Sequence, residues 1–293
     1  MLNDATPLNV FLTVVSEKSF TRAAEKLLRT QPAVSLAVQR LEDELGETLI
    51  DRSGRELALT DAGKLVFEAA RRQENLHQEL VSRLAELRNK AVGRLVIGAN
   101  ESMTLYLLPH LGRFRRAYPK VKLVVQRSRS TEMPERLLAG DLDFGVVSYR
   151  LDDDRFASRV IYVDHLSFVV APQHRLANRK ALSVKDLAME TFVAHNVPSP
   201  YRDAVLKAFQ KAKVPLNMDV EMPTVESIRR MVQAGEGVSF LPRLCVEQDL
   251  AQGVLKEIAV KELQLERKIH LIRVKKRPLS HSANAFLEML GRP

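Results

Sequence analysis

Gln31, Ser35, Gln39 and Arg40 fall on the N-terminal and outer surface of one helical stretch, where amide, hydroxyl and guanidinium groups can meet base edges and phosphates. That chemistry suits a recognition helix in the major groove of duplex DNA. Downstream, Leu49-Ile50-Asp51-Arg52-Ser53-Gly54-Arg55-Glu56-Leu57-Ala58-Leu59 reads as two short strands around a Ser53-Gly54-Arg55 tip. Such a wing carries Arg55, and with it Arg52, to the phosphate backbone. A small helical subdomain with ordinary polar surface residues would show the same periodicity, so spacing alone leaves both readings open.

Three short helical patterns position these groups. Leu8, Phe11, Leu12 and Val15 recur at helical spacing until Ser16-Glu17-Lys18-Ser19 interrupts them. Phe20, Ala23, Ala24, Leu27 and Leu28 form a second stripe, whose adjacent alanines permit close approach by another helix. Arg29-Thr30-Gln31-Pro32 then supplies a turn, a capping hydroxyl and a proline tolerated in the first helical turn. The third helix buries Val34, Val38, Leu41 and Leu45, and Gly46 stops it. From a Thr60 cap a further helix runs to about Lys90, roughly 45 Å at 1.5 Å per residue. Its Leu65, Ala69, Leu76, Leu80, Leu84 and Leu87 share one side, as expected of a helix packed lengthwise on a partner or on its own globular body. Ala91-Val92-Gly93 reads as a hinge.

Strand and helix patterns alternate thereafter, which predicts an α/β sheet. Leu95–Gly98, Val121–Val125 and Phe144–Val147 are the first strands; Leu166–Ala171, Thr191–Ala194 and Val238–Leu241 form a second set, and Lys268–Val274 is the last, followed by a helix around Ser282–Leu290. Ligands of such sheets sit at the carboxyl ends of strands, near helix N-termini whose free N–H groups favour anions. Asn100, Glu101, Ser102, Ser128, Arg129, Ser130, Ser148, Tyr149, Arg150, His195, Asn196, Ser199 and Thr224 occupy those places. Each taken singly also reads as a cap or a surface residue. Glu101 complicates a carboxylate pocket: it can repel an anion, pair with Arg129 or Arg150, or attract an amine.

Composition bounds the alternatives. The 293 residues suggest about two domains. The 45 Lys and Arg against 36 Asp and Glu give a net charge of +9. Residues 1–60 hold 7 basic and 9 acidic residues (net −2), residues 61–92 hold 6 and 5 (net +1), and residues 93–293 hold 32 and 22 (net +10). The excess therefore lies away from the candidate helix, and net charge does not argue for DNA binding. Part of it, Arg267, Lys268, Arg273, Lys275, Lys276 and Arg277, alternates with apolar residues and reads as a solvated strand face. Cys245 stands alone in an apolar context, which excludes a disulfide framework and predicts a buried, inert thiol. No apolar run reaches about 18 residues, and the first residues lack a secretory pattern, so a cytoplasmic protein with no membrane partner is expected. The glycines form no nucleotide fingerprint and the seven histidines lack metal-ligand spacing. No catalytic constellation, metal or cofactor is expected.

Ser19-Phe20-Thr21-Arg22-Ala23-Ala24-Glu25-Lys26-Leu27, Thr30-Gln31-Pro32-Ala33-Val34-Ser35, Leu41-Glu42-Asp43-Glu44-Leu45-Gly46 and Leu59-Thr60-Asp61-Ala62-Gly63 together resemble the winged helix-turn-helix of LysR-type transcriptional regulators. Ordered blocks over about 60 residues are far more specific than a lone motif. The resemblance implies an α/β protein with an N-terminal all-α winged helix-turn-helix (residues 1–60), a long linker and dimerisation helix (61–92), and a two-lobed effector domain like a type 2 periplasmic binding protein (93–293). Lobe one would comprise about 93–163 and 266–293, lobe two about 164–265. It implies DNA contacts from Arg29, Thr30, Gln31, Pro32, Ser35, Leu36, Gln39, Arg52 and Arg55, and a small-molecule effector cleft at Asn100, Ser102, Ser128, Ser148, His195 and Thr224. It further implies a bacterial activator or repressor bound to an imperfect inverted repeat as a dimer or tetramer, with RNA polymerase as a further partner. One departure is Leu36, where the family commonly has a polar or basic residue; it cannot pair with guanine but can touch a thymine methyl.

Overall fold

Three hydroxyls start the first three helices. The computed structural model describes residues 6–52, 57–88, 92–197 and 199–291. In it the side chains of Thr6, Ser19 and Thr30 accept the amide protons of Asn9, Arg22 and Ala33, opening α1 (Pro7–Glu17), α2 (Phe20–Leu27) and α3 (Gln31–Leu45). Val10, Phe11 and Val14, Ala23 and Ala24, and Val34, Val38 and Leu41 are the buried faces of the three helices, and Leu49 and Ile50 close the core. Two expectations fail at helix ends. Leu28 is the left-handed cap of α2 (φ 54°) and is 93% exposed, because the turn throws its side chain outward. Leu45 is exposed because the chain reverses at Gly46 (φ +69°) and brings Leu49 and Ile50 beneath the core instead.

The strands β1 (Ile50–Asp51) and β2 (Ala58–Leu59) pair antiparallel, Ile50 opposite Leu59. The expected tip, with Arg55, lies outside the described residues. Thr60 caps α4 (Asp61–Arg88): its hydroxyl oxygen accepts the Gly63 amide at 2.9 Å and its hydroxyl donates to the Thr48 carbonyl at 2.6 Å. A Cβ at residue 63 would stand 2.0 Å from the Leu49 carbonyl oxygen, so only glycine lets the helix pass the wing strand. Along α4 the leucine stripe is uncovered, with Leu76 67% and Leu87 83% exposed and Leu65, Leu80 and Leu84 also exposed. This N-terminal unit also includes residues 135–142. There Asp141 takes a hydrogen bond from Asn75 (2.7 Å) and an ion pair from Arg71 (3.4 Å).

The second unit spans residues 94–134 and 143–293. The elements after α4 begin with β3 (Val92–Ala99), α5 (Glu101–Ala117), β4 (Lys120–Arg127), α6 (Met133–Leu138), β5 (Phe144–Val147) and β6 (Phe156–Val170). They continue with β7 (Ala181–Leu182), β8 (Thr191–His195), α7 (Pro200–Ala212), β9 (Asn217–Met222), α8 (Val225–Gln233), β10 (Ser239–Pro242), α9 (Arg243–Gln252), β11 (Lys256–Val260), β12 (Glu266–Val274) and α10 (His281–Leu290). Strands run β4-β3-β5-β12-β6-β11-β7, with β10 also on β6; β8 and β9 pair in parallel, and Phe192 of β8 bridges Val238.

Three buried clusters form here among the described residues. One gathers Leu95, Ile97, Met103, Leu107, Phe144, Ile269, Leu271 and Phe286. Another gathers Phe168, Val170, Phe192, Phe209, Val238 and Ile258, and a third Val169, Val193, Ile228, Val232 and Val246. The long strand β6 serves all three, pairing with β12 from Phe156 to His165 and with β10 and β11 from Leu166 on. Only its apolar second half was legible in the sequence; its first half is largely polar and partly exposed, and pairing with β12 makes it a strand. β12 is likewise interior, so the expected solvated face fails at Arg267, which is 4% exposed, while Lys268 is exposed as expected.

Candidate nucleic-acid interface and ligand cleft

The cap at Thr30 leaves Arg29, Thr30, Gln31 and Pro32 exposed at the N-terminus of α3, and Leu36, Gln39 and Arg40 exposed along it; Ser35 is half-buried. These side chains flank or oppose the buried face of Val34, Val38 and Leu41, so one helix buries an apolar face and presents a polar one. Amides, a hydroxyl, a guanidinium and one methyl-bearing side chain on a helix of this size fit a major groove. Arg52 differs from the rest. Its guanidinium pairs with Glu42 at 3.1 Å and lies 5.7 Å over the Phe20 ring, while about half of its side chain stays exposed.

Several of the expected ligand residues meet at the start of α5. Asn100 caps α5, its Oδ1 accepting from the Met103 amide (2.9 Å) and the Ser102 hydroxyl (3.1 Å). Ser128 is buried beside it, its amide donating to the Ala99 carbonyl at 3.0 Å. Thr224 caps α8 by accepting the Ser227 amide at 3.1 Å. Between them the Glu101 carboxylate accepts the Val225 amide at 3.2 Å, so an acid from the start of α5 satisfies the N-terminus of α8. Glu101 thus pairs with neither Arg129, which meets Glu132, nor Arg150, whose charge falls on His270. Ser148 meets α7 instead, its carbonyl accepting the Tyr201 hydroxyl at 3.3 Å.

Burial holds the His195 imidazole below its ordinary pKa, against the opposing pull of Glu101 and with the help of Arg127 and Arg202. Its Nδ1 accepts the Val197 amide at 3.1 Å, so the neutral ring carries its proton on Nε2.

Sequence reasoning missed the residues where the two long strands cross. Arg267 of β12 stands opposite Asp164 of β6, their charged groups 3.6 Å apart and both buried. The Tyr201 ring covers Arg267 at 5.0 Å, and the Leu244 amide of α9 donates to Asp164 at 3.2 Å. Cys245 beside them is buried as expected, and desolvation pushes its thiol up to about 12. Tyr201 alone had a sequence signal, following the Ser199 cap; the Arg267–Asp164 pair depends on strand register. Among the described residues no cluster of three or more His, Cys, Asp or Glu could hold a metal, and no helix is long and apolar enough to cross a membrane.

Comparison with known proteins agrees in both parts of the chain. Residues 6–64 match the family described as "Bacterial regulatory helix-turn-helix protein, lysR family", and residues 88–292 match "LysR substrate binding domain". A probable RuBisCO transcriptional regulator of Cyanidioschyzon merolae is 29% identical over 97% of this chain and 96% of its own length. One of Cyanophora paradoxa is 30% identical over 96% and 89%. Among solved structures, full-length CbnR complexed with its target DNA has a TM-score of 0.73 at 20% identity, covering 98% of each chain.

Proposed function

The chain belongs to the LysR family of transcriptional regulators, a DNA-binding helix-turn-helix followed by an effector-binding domain, and from that premise we propose which residues carry each task. Arg29, Thr30, Gln31, Pro32, Ser35, Leu36 and Gln39 meet the operator, with Gln31 and Ser35 at base edges and Leu36 against a thymine methyl. The observation that carries this reading is the two-faced α3, whose polar side stands exposed over a fully apolar one. The division into residues 1–60, 61–92 and 93–293 follows the same logic. α4 pairs two copies through its exposed leucines, and pairs of pairs form a tetramer on an imperfect inverted repeat, in the cytoplasm of a bacterium, where the bound complex governs access by RNA polymerase.

The effector enters among Asn100, Ser102, Ser128, Ser148, His195 and Thr224. To do so it competes with the Glu101–Val225 contact: an effector carboxylate would take the same amide, an effector amine would take Glu101 itself. Either acts only through its differential affinity for two arrangements of the oligomer. The test is selection of genomic DNA fragments by the purified full chain at about 150 mM salt, where non-specific phosphate binding is partly suppressed. Enriched fragments sharing an inverted repeat are expected, and their genes then nominate the effector. A bound pool with no common sequence, with and without metabolites of the neighbouring genes, would defeat the assignment.

A further inference from the structure

Glu42 lies on α3 two turns beyond Ser35, with 13% of its side chain exposed. Its Oε1 accepts the amide protons of Leu49 at 2.8 Å and Ile50 at 3.1 Å, and its Oε2 takes the Arg52 guanidinium at 3.1 Å. One carboxylate on the recognition helix therefore holds the whole first wing strand, from the residue before it to the residue after it. The second strand is tied to the same place, since the Thr60 amide donates to the Leu49 carbonyl at 3.1 Å and Leu59 pairs with Ile50. Charge-assisted bonds of this kind are short and directional, so they set an angle as well as a distance.

We propose that Glu42 is a positioning residue for operator binding: it sets the wing against the recognition helix, and Arg52 acts on DNA through Glu42 and the Phe20 ring, making no phosphate contact of its own. The inference rests on the reading of α3 and the wing as the operator-binding surface. Arg52 was expected among the DNA contacts from its place beside the wing tip; in the structure its guanidinium is oriented by a carboxylate and an aromatic face.

The test uses the full chain on its selected operator, with Glu42→Gln, Arg52→Gln, Arg52→Lys and the Glu42→Gln/Arg52→Gln double variant. Glu42→Gln keeps an oxygen for the two strand amides and removes only the charge that holds Arg52, so folding is preserved; unchanged melting checks this. Both single glutamine variants are expected to bind about tenfold more weakly, and the double variant no more weakly than either. The dependence of log K on log salt keeps its slope, because no phosphate contact is lost; each lost contact would lower it by about 0.9. Lysine fails to rescue, since a point charge cannot both pair with Glu42 and lie flat on Phe20.

Wild-type affinity in Glu42→Gln, a slope lowered by about one per subunit in Arg52→Gln, or full rescue by lysine would each overturn the inference. If the unaltered chain selects no operator, the DNA-binding assignment itself falls, a different failure seen before any variant is made.

Discussion

The recognition face and the ligand cleft are built from the same residue types, used in opposite ways. On α3, Gln31 and Gln39 stand exposed, their chemistry directed out of the chain. In the cleft, Asn100, Ser102 and Thr224 already cap helices or one another, and Glu101 already fills a helix N-terminus. An outward surface is prepared for a partner whose form is regular, since every duplex presents the same groove. A cleft for a small molecule is prepared by topology, and its polar groups are first used to hold the walls. Removing a residue should therefore cost binding in the first region and stability in the second.

The largest effect concerns the outward leucines of α4. Leu80→Asp together with Leu84→Asp should halve or quarter the mass seen by light scattering and weaken operator binding at least about a hundredfold, because effective concentration between paired recognition helices is lost. An unchanged mass would mean that this stripe has another use. Next comes a matched pair of truncations. Gln31→Ala should weaken operator binding about tenfold or more with no change in melting, whereas Thr224→Ala should cost about 1 kcal/mol of stability, the usual worth of a helix cap, measured by denaturant unfolding. If Gln31→Ala destabilises the fold as much as Thr224→Ala does, the contrast between the regions is void.

The smallest effect is one of pH. Burial holds His110, His195 and His270, all in the effector-binding unit, below their ordinary value. The unfolded chain binds protons at these sites first, so their contribution to stability is complete above about pH 6.5. It is lost as pH falls through the lowered folded values. Calorimetry between pH 7.5 and 5.5 should show melting of that unit move down with acid. A melting temperature that rises with acid would show that ion pairs, and not burial, dominate these histidines.

Residue order alone determined the helical frame of the N-terminus. Hydroxyls at Thr6, Ser19 and Thr30, the alanine pair at 23 and 24, and the stop at Gly46 are local signals, each acting within about one turn of its own residue. The family and the exposed polar face of α3 were legible for the same reason. Where local rules ran out, the sequence misled: Leu28 and Leu45 continue apolar stripes that the chain has already left, and Arg267 alternates like a surface residue on a strand that lies inside the sheet.

Tertiary structure alone decided the pairings between distant residues. Glu42 with the first wing strand, Glu101 with the α8 amide, Arg267 opposite Asp164 and the polar half of β6 on β12 all depend on register or on helix ends meeting across the fold. A side chain's local pattern says which way it faces, but its partner is set by where the rest of the chain has folded, and a charge's role follows from its partner.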